Sequence, residues 1–108
     1  MIKVIEGYEL KKGADMQSIF IKLRSYAMTF QGFIDAEYIK SVKGNPIAAL
    51  LYNWETLENW EAWETSKLRQ QMLQEAEAFS VSKPRITIYE LMPTSGWTYT
   101  RYHTQTTV

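Results

Sequence analysis

A chain of 108 residues with 45% apolar and 22% charged side chains can build one hydrophobic core, and its composition is neither that of a disordered segment nor that of a fibrous repeat. Twelve basic and twelve acidic residues cancel without forming a basic cluster, which excludes the electrostatic footprint of a nucleic-acid binder. Cysteine is absent, so disulfides, thiolate nucleophiles, zinc-thiolate centres and iron–sulfur clusters are excluded; the single imidazole, His103, stands in a polar tail as a solvated side chain rather than a metal ligand.

The opening run MIKVIEGYEL lacks the basic, apolar and small-residue regions of a signal peptide, and no stretch approaches the ~18 apolar residues of a membrane helix. The expectation is a cytoplasmic protein. Ile2, Val4, Tyr8 and Leu10 fall at even spacing and predict a first strand with one buried face. Asp15 can cap a helix whose stripe is Met16, Ile19, Phe20, Leu23, Ala27 and Phe30, and Gln31 and Gly32 end it. Phe33 to Val42 is rich in β-branched and aromatic residues and predicts a second strand, followed by a turn over Lys43, Gly44, Asn45 and Pro46.

Ile47 to Trp54 predicts a third strand that is apolar on both faces, with Ile47, Ala49 and Leu51 on one side and Ala48, Leu50, Tyr52 and Trp54 on the other. The chain's own helices can cover one of these faces, so the other calls for a second copy of the chain. A short helix from Thr56 carries Trp60 and Trp63, and a break near Ser66 precedes a longer helix to about Phe79 with Leu68, Met72 and Ala76 on its buried stripe. Glu55, Glu58, Glu61 and Glu64, opposite the tryptophans, form a solvated helical face. Arg85 to Leu91 is the last strand, with Ile86 and Ile88 alternating against Arg85, Thr87 and Tyr89.

The order is βαββαβ: an α+β, ferredoxin-like domain over residues 1–92 with a four-stranded antiparallel sheet, helices on one face and dimerisation through the other. Residues 93–108 form a Thr- and aromatic-rich tail in which Trp97, Tyr99 and Tyr102 suggest an added strand or an arm on the partner.

Phosphate loops, nucleophile elbows and zinc-protease motifs are missing. Aromatic density stands out, with four Trp, seven Tyr and four Phe. Trp54, Trp60 and Trp63 bunch where the third strand meets the next helix. They serve either as core or as the wall of an apolar pocket for a flat ligand, between the sheet and the kinked helix.

Gly32 and Phe33, Glu37 and Tyr38, the strand ending in Trp54, Glu55 and Thr56, and then Trp60, Ala62, Trp63 and Ser66 resemble the pattern of antibiotic biosynthesis monooxygenase domains over about residues 2–92. The resemblance implies a dimeric ferredoxin-like α/β barrel and a cofactor-independent oxygenase, in which an electron-rich aromatic loses a proton and its carbanion meets oxygen directly. Under it, Trp60, Trp63, Trp54 and Phe33 would contact substrate. Asn53, Tyr38 and Tyr52 are candidate donors to a developing oxyanion, and Glu6, Glu37 and His103 are candidate bases, although each carboxylate also reads as an exposed strand residue. Two other functions stay open: a non-catalytic ligand-binding or stress-related dimer, and a heme-binding or heme-degrading protein. The heme-degrading branch of the family uses an Asn, a Trp and an axial His at the positions of Glu6, Trp63 and Leu73, so only the Trp is matched and no cofactor or metal is expected.

Overall fold

The computed structural model describes residues 1–92. The expected strand or arm over residues 93–108, and with it His103, lies outside the described residues. The chain runs β1 (Ile2–Glu9), α1 (Gln17–Ala27), β2 (Phe33–Lys40), β3 (Ile47–Trp54), α2 (Leu57–Glu64), α3 (Lys67–Ala76) and β4 (Arg85–Glu90). The strands form one four-stranded sheet in the order β2-β3-β1-β4, with each neighbouring pair antiparallel. This is the expected ferredoxin-like arrangement, and β1, between β3 and β4, is held on both edges.

The period-two pattern of β1 decides the two faces of the sheet. Ile2, Val4, Glu6 and Tyr8 point to the helices, and register carries the same face across Trp54, Tyr52, Leu50 and Ala48 of β3. α1 lays Ile19, Phe20, Leu23 and Ala27 on that face. Its first turn is supported by the Asp15 carboxylate, which accepts from the Gln17 amide at 2.9 Å. The opposite face carries Ile5, Ala49 and Leu51 in the central strands, Ile39 on β2 and Tyr89 on β4; Ile39 and Tyr89 are exposed. The third strand is therefore apolar on both sides, as its sequence predicts.

Gly32 adopts φ +84°, where a side chain would be strained, and a Cβ there would also collide with the side chain of Asn59 on α2. The glycine thus lets the start of β2 dock against α2. Thr56 caps α2 by accepting from the Asn59 amide at 3.1 Å, and Ser66 caps α3 by accepting from the Arg69 amide at 3.2 Å. The expected break near Ser66 is thus present, with α2 and α3 as separate helices. It resets the helical phase: Arg69, Met72 and Ala76 are the buried residues of α3, whereas Leu68, expected on the stripe, is exposed. α3 also ends at Ala76 rather than near Phe79. The segment beyond it is tied to the end of β1 and the turn that follows by Val81 N–H to the Glu9 carbonyl and Lys11 N–H to the Phe79 carbonyl, each 2.8 Å.

Candidate functional site

Trp54, Trp60 and Trp63 have no exposed surface. Their rings meet neighbours in tilted or edge-on contacts: Trp60 with Tyr52 at 5.5 Å, Trp63 with Phe30 at 5.2 Å, and Trp54 with Phe33 at 5.5 Å between centroids. Such pairs add about 0.5–1.5 kcal/mol each beyond the area they bury. Trp63 Nε1 donates to Tyr52 Oη at 3.2 Å, whereas the buried N–H groups of Trp54 and Trp60 find no acceptor among the described residues.

Beside this cluster lies a group of polar side chains set into the core. Glu6 has no exposed surface and Arg69 keeps 3% of its own. Arg69 Nη2 and Nε both donate to Glu6 Oε1, at 2.9 and 3.3 Å, and Arg69 Nη1 donates to the Glu64 carbonyl at 3.2 Å. Tyr8 Oη donates to the other carboxylate oxygen, Glu6 Oε2, at 2.6 Å. The guanidinium carbon lies 5.4 Å from the centroid of the Trp60 ring, a cation–π contact. Burial pushes the Tyr8 phenol far above its ordinary range, and the adjacent Glu6 charge pushes it further. Burial opposes the charge on Arg69, but Glu6 outweighs it and holds the guanidinium protonated.

This network borders a cleft of about 370 Å³ between α3, β1 and the segment leading into β4. Its lining is mostly polar: Tyr8 and Arg69 border it together with Glu64, Gln70, Glu77 and Lys83, and Leu73, Ala76, Pro84 and Ile86 supply the apolar part. The dimensions suit a small organic ligand.

The residues expected from sequence fall into distinct places. Glu6, read as an exposed strand residue, is instead fully buried, because it sits on the helix-facing parity of β1 and there meets Arg69. Tyr52 lies in the aromatic core bonded to Trp63, and half-buried Tyr38 packs edge-on against Phe20 at 4.7 Å. Asn53 is on the opposite face of the sheet, donating to Asp35 Oδ1 at 2.6 Å, and Glu37 is exposed on that same face. The structure therefore brings Glu6 close to the cleft and keeps Asn53 and Glu37 away from it. Tyr8 and Arg69 were missed in sequence. Their signal was positional: Tyr8 shares the parity of Glu6, and Arg69 stands three residues before Met72 in a helix restarted by Ser66.

Among the described residues no group of His, Asp and Glu could hold a metal ion, and no helix is long and apolar enough to cross a membrane. No family model matches the sequence, and no curated protein matches it. Solved structures do. SnoaB of Streptomyces nogalater, a cofactor-independent oxygenase, is 10% identical with a TM-score of 0.74, over 88% of this chain and 96% of that one. A provisionally named antibiotic biosynthesis monooxygenase of Deinococcus radiodurans is 11% identical with a TM-score of 0.76, over 87% and 95%. A similarly named protein of Bordetella bronchiseptica is 18% identical with a TM-score of 0.74, over 85% and 97%. This chain has the antibiotic biosynthesis monooxygenase fold. Identities this low establish that fold and leave the chemistry to the residues in the cleft. Within the antibiotic biosynthesis monooxygenase fold, this chain carries a buried Glu6–Arg69 pair on the face between sheet and helices.

Proposed function

We propose that this chain is a cofactor-independent oxygenase, or a related small-molecule enzyme, working in the cytoplasm as a homodimer on an apolar aromatic substrate. The observation that carries the reading is the cleft bordered by Tyr8 and Arg69, in whose largely polar lining Leu73, Ala76, Pro84 and Ile86 form an apolar part. SnoaB, whose fold it shares, supports the reaction type by analogy. In this reading the substrate lies on Leu73, Pro84 and Ile86. Trp60 backs the site through its contact with Arg69, and Trp63 braces it through Tyr52.

The chemistry asks little beyond deprotonation and exclusion of water. An activated CH2 group loses a proton, its carbanion adds oxygen, and the resulting peroxide releases water to leave a carbonyl; one oxygen atom ends in the product and the other in water. The homodimer follows from the sheet face bearing Ile5, Ala49, Leu51, Ile39 and Tyr89, which the chain's own helices leave uncovered. The test is oxygen uptake with anthrone as probe, scored as conversion to anthraquinone above the rate of uncatalysed autoxidation. Protein-dependent turnover that falls in Tyr8→Phe is the expected result. Saturable anthrone binding with no excess turnover would instead make the chain a binding protein.

A further inference from the structure

Gly7 stands well inside β1, where the pairing runs without a shift to β3 on one side and to β4 on the other. Glycine weakens a strand interior, and what excuses it within a chain is a bulge, a positive φ or a close approach of other atoms. None of these applies to Gly7. Its φ is not positive, and a Cβ built on it would meet only the Arg85 carbonyl oxygen, at an ordinary 3.9 Å. The chain's own fold leaves room for a side chain here, so the reason for its absence lies in something that comes close to the strand from outside.

Gly7 borders a second pocket of about 370 Å³, on the face of the sheet opposite the helices. Glu9 shares the parity of Gly7 on β1, and register sets Ile47 beside Glu9 and Arg85 beside Gly7. Lys83 lies in the lining as well and also borders the first cleft, so the two share a rim. Lys83, Arg85 and Glu9 are exposed, and none of them forms an ion pair among the described residues. The lining thus sets two cations against one carboxylate, an excess of one positive charge, and Ile47 is its apolar part. Such a lining attracts an anion, and a single negative charge balances it where a dianion would meet repulsion from Glu9. A guanidinium matches a carboxylate through two parallel N–H donors. A second copy of the chain is the competing occupant, but Ile5, Leu51 and Ile39, the apolar residues that call for one, lie outside this lining. We propose that this pocket is a second ligand site, which takes a small monocarboxylate: its apolar body lies over Gly7 and against Ile47, and Arg85 and Lys83 hold its carboxylate.

The site is separate from the cleft of the proposed oxygenase, and its failure leaves that reading in place. The probe is naphthalene-2-carboxylate, followed by its fluorescence anisotropy with the full chain at neutral pH. It is expected to bind saturably, and more weakly as salt is added. The uncharged 2-naphthylmethanol should bind at least about tenfold more weakly, as should the carboxylate to Arg85→Gln, and Lys83→Gln should weaken it in the same direction. Gly7→Val fills the space over the strand with a residue suited to strands, so it should melt no lower than the parent and lose the probe. Leu73→Trp, which fills the first cleft, should bind the probe as the parent does. Equal affinity for the alcohol, or tighter binding of 2-naphthyl phosphate, would overturn the monocarboxylate. Binding unchanged in Arg85→Gln, or lost in Leu73→Trp, would remove the probe from this pocket. A Gly7→Val chain that keeps the probe but sediments at half the parent's mass would give the glycine to a second copy, and one that unfolds would give it to the chain's own fold. Either result overturns the inference, as does the absence of saturable binding.

Discussion

Glu6 on β1 and Arg69 on α3 stand 63 positions apart in sequence, yet they meet at 2.9 Å with almost no exposed surface on either side chain. The pair ties the sheet to the third helix from inside the core. A buried pair of this kind contributes little net stability over an apolar pair, whereas breaking it strands a charge.

Glu6→Gln or Arg69→Met alone should therefore lower unfolding free energy by about 3–5 kcal/mol, by leaving an unpaired group in the core. The double variant Glu6→Gln, Arg69→Met should cost less than the sum of the two. Urea denaturation of the four proteins in a double-mutant cycle measures the coupling, and strict additivity would show that the pair does not act as a unit.

Alkaline stability should fall for a specific reason. Tyr8 and Tyr52 are both raised above the ordinary tyrosine value of 10.0, first by burial and then by the charge of Glu6. The unfolded chain loses these protons near pH 10 while the folded chain keeps them, so above that pH the unfolded state binds fewer protons and is favoured. The stabilisation is complete below about pH 10 and lost above it, at roughly 1.4 kcal/mol per pH unit for each tyrosine. Denaturant titrations across this range should show a shallower slope in Tyr8→Phe.

Trp63 is wholly buried and bonded to Tyr52, so Trp63→Ala should cost about 3–5 kcal/mol. Trp63→Phe keeps most of the volume and should cost less. If the alanine variant were nearly as stable as the parent, with ligand binding gone, Trp63 would be a wall of ligand space rather than core.

Sedimentation at micromolar concentration should give twice the mass of the single chain. Leu51→Arg, which places a charge in the centre of the uncovered sheet face, should give the single mass with an unchanged helical signal. A parent chain that sediments at the single mass would remove the dimer.

Hemin should show no saturable one-to-one Soret shift. Leu73 lines the cleft, and leucine, at the position where the resemblance to the heme-degrading branch would call for an axial imidazole, cannot bind iron. Saturable binding followed by breakdown under a reductant would reverse this expectation.

Much of the architecture follows from local periodicity. The alternation of Ile2, Val4 and Tyr8, the helical stripe that begins at Met16, the two apolar faces of Ile47–Trp54 and the cap at Ser66 all act over a few residues and appear in the fold, although α1 ends at Ala27, short of the expected Phe30. The candidate site was legible only in fragments. Glu6 occupies a buried parity, but a carboxylate there is tolerable only if a cation reaches it, and that cation comes from a helix 63 positions further along the chain. Arg69 reads as a solvated helical residue until the Ser66 cap resets the phase and turns it toward the sheet. Asn53 and Tyr52, adjacent in sequence and both polar, end on opposite faces because strand geometry alternates them. Strand and helix periods are local and can be read from the chain; the pairing of buried charges is long-range, and only the packing of α3 against the sheet decides it.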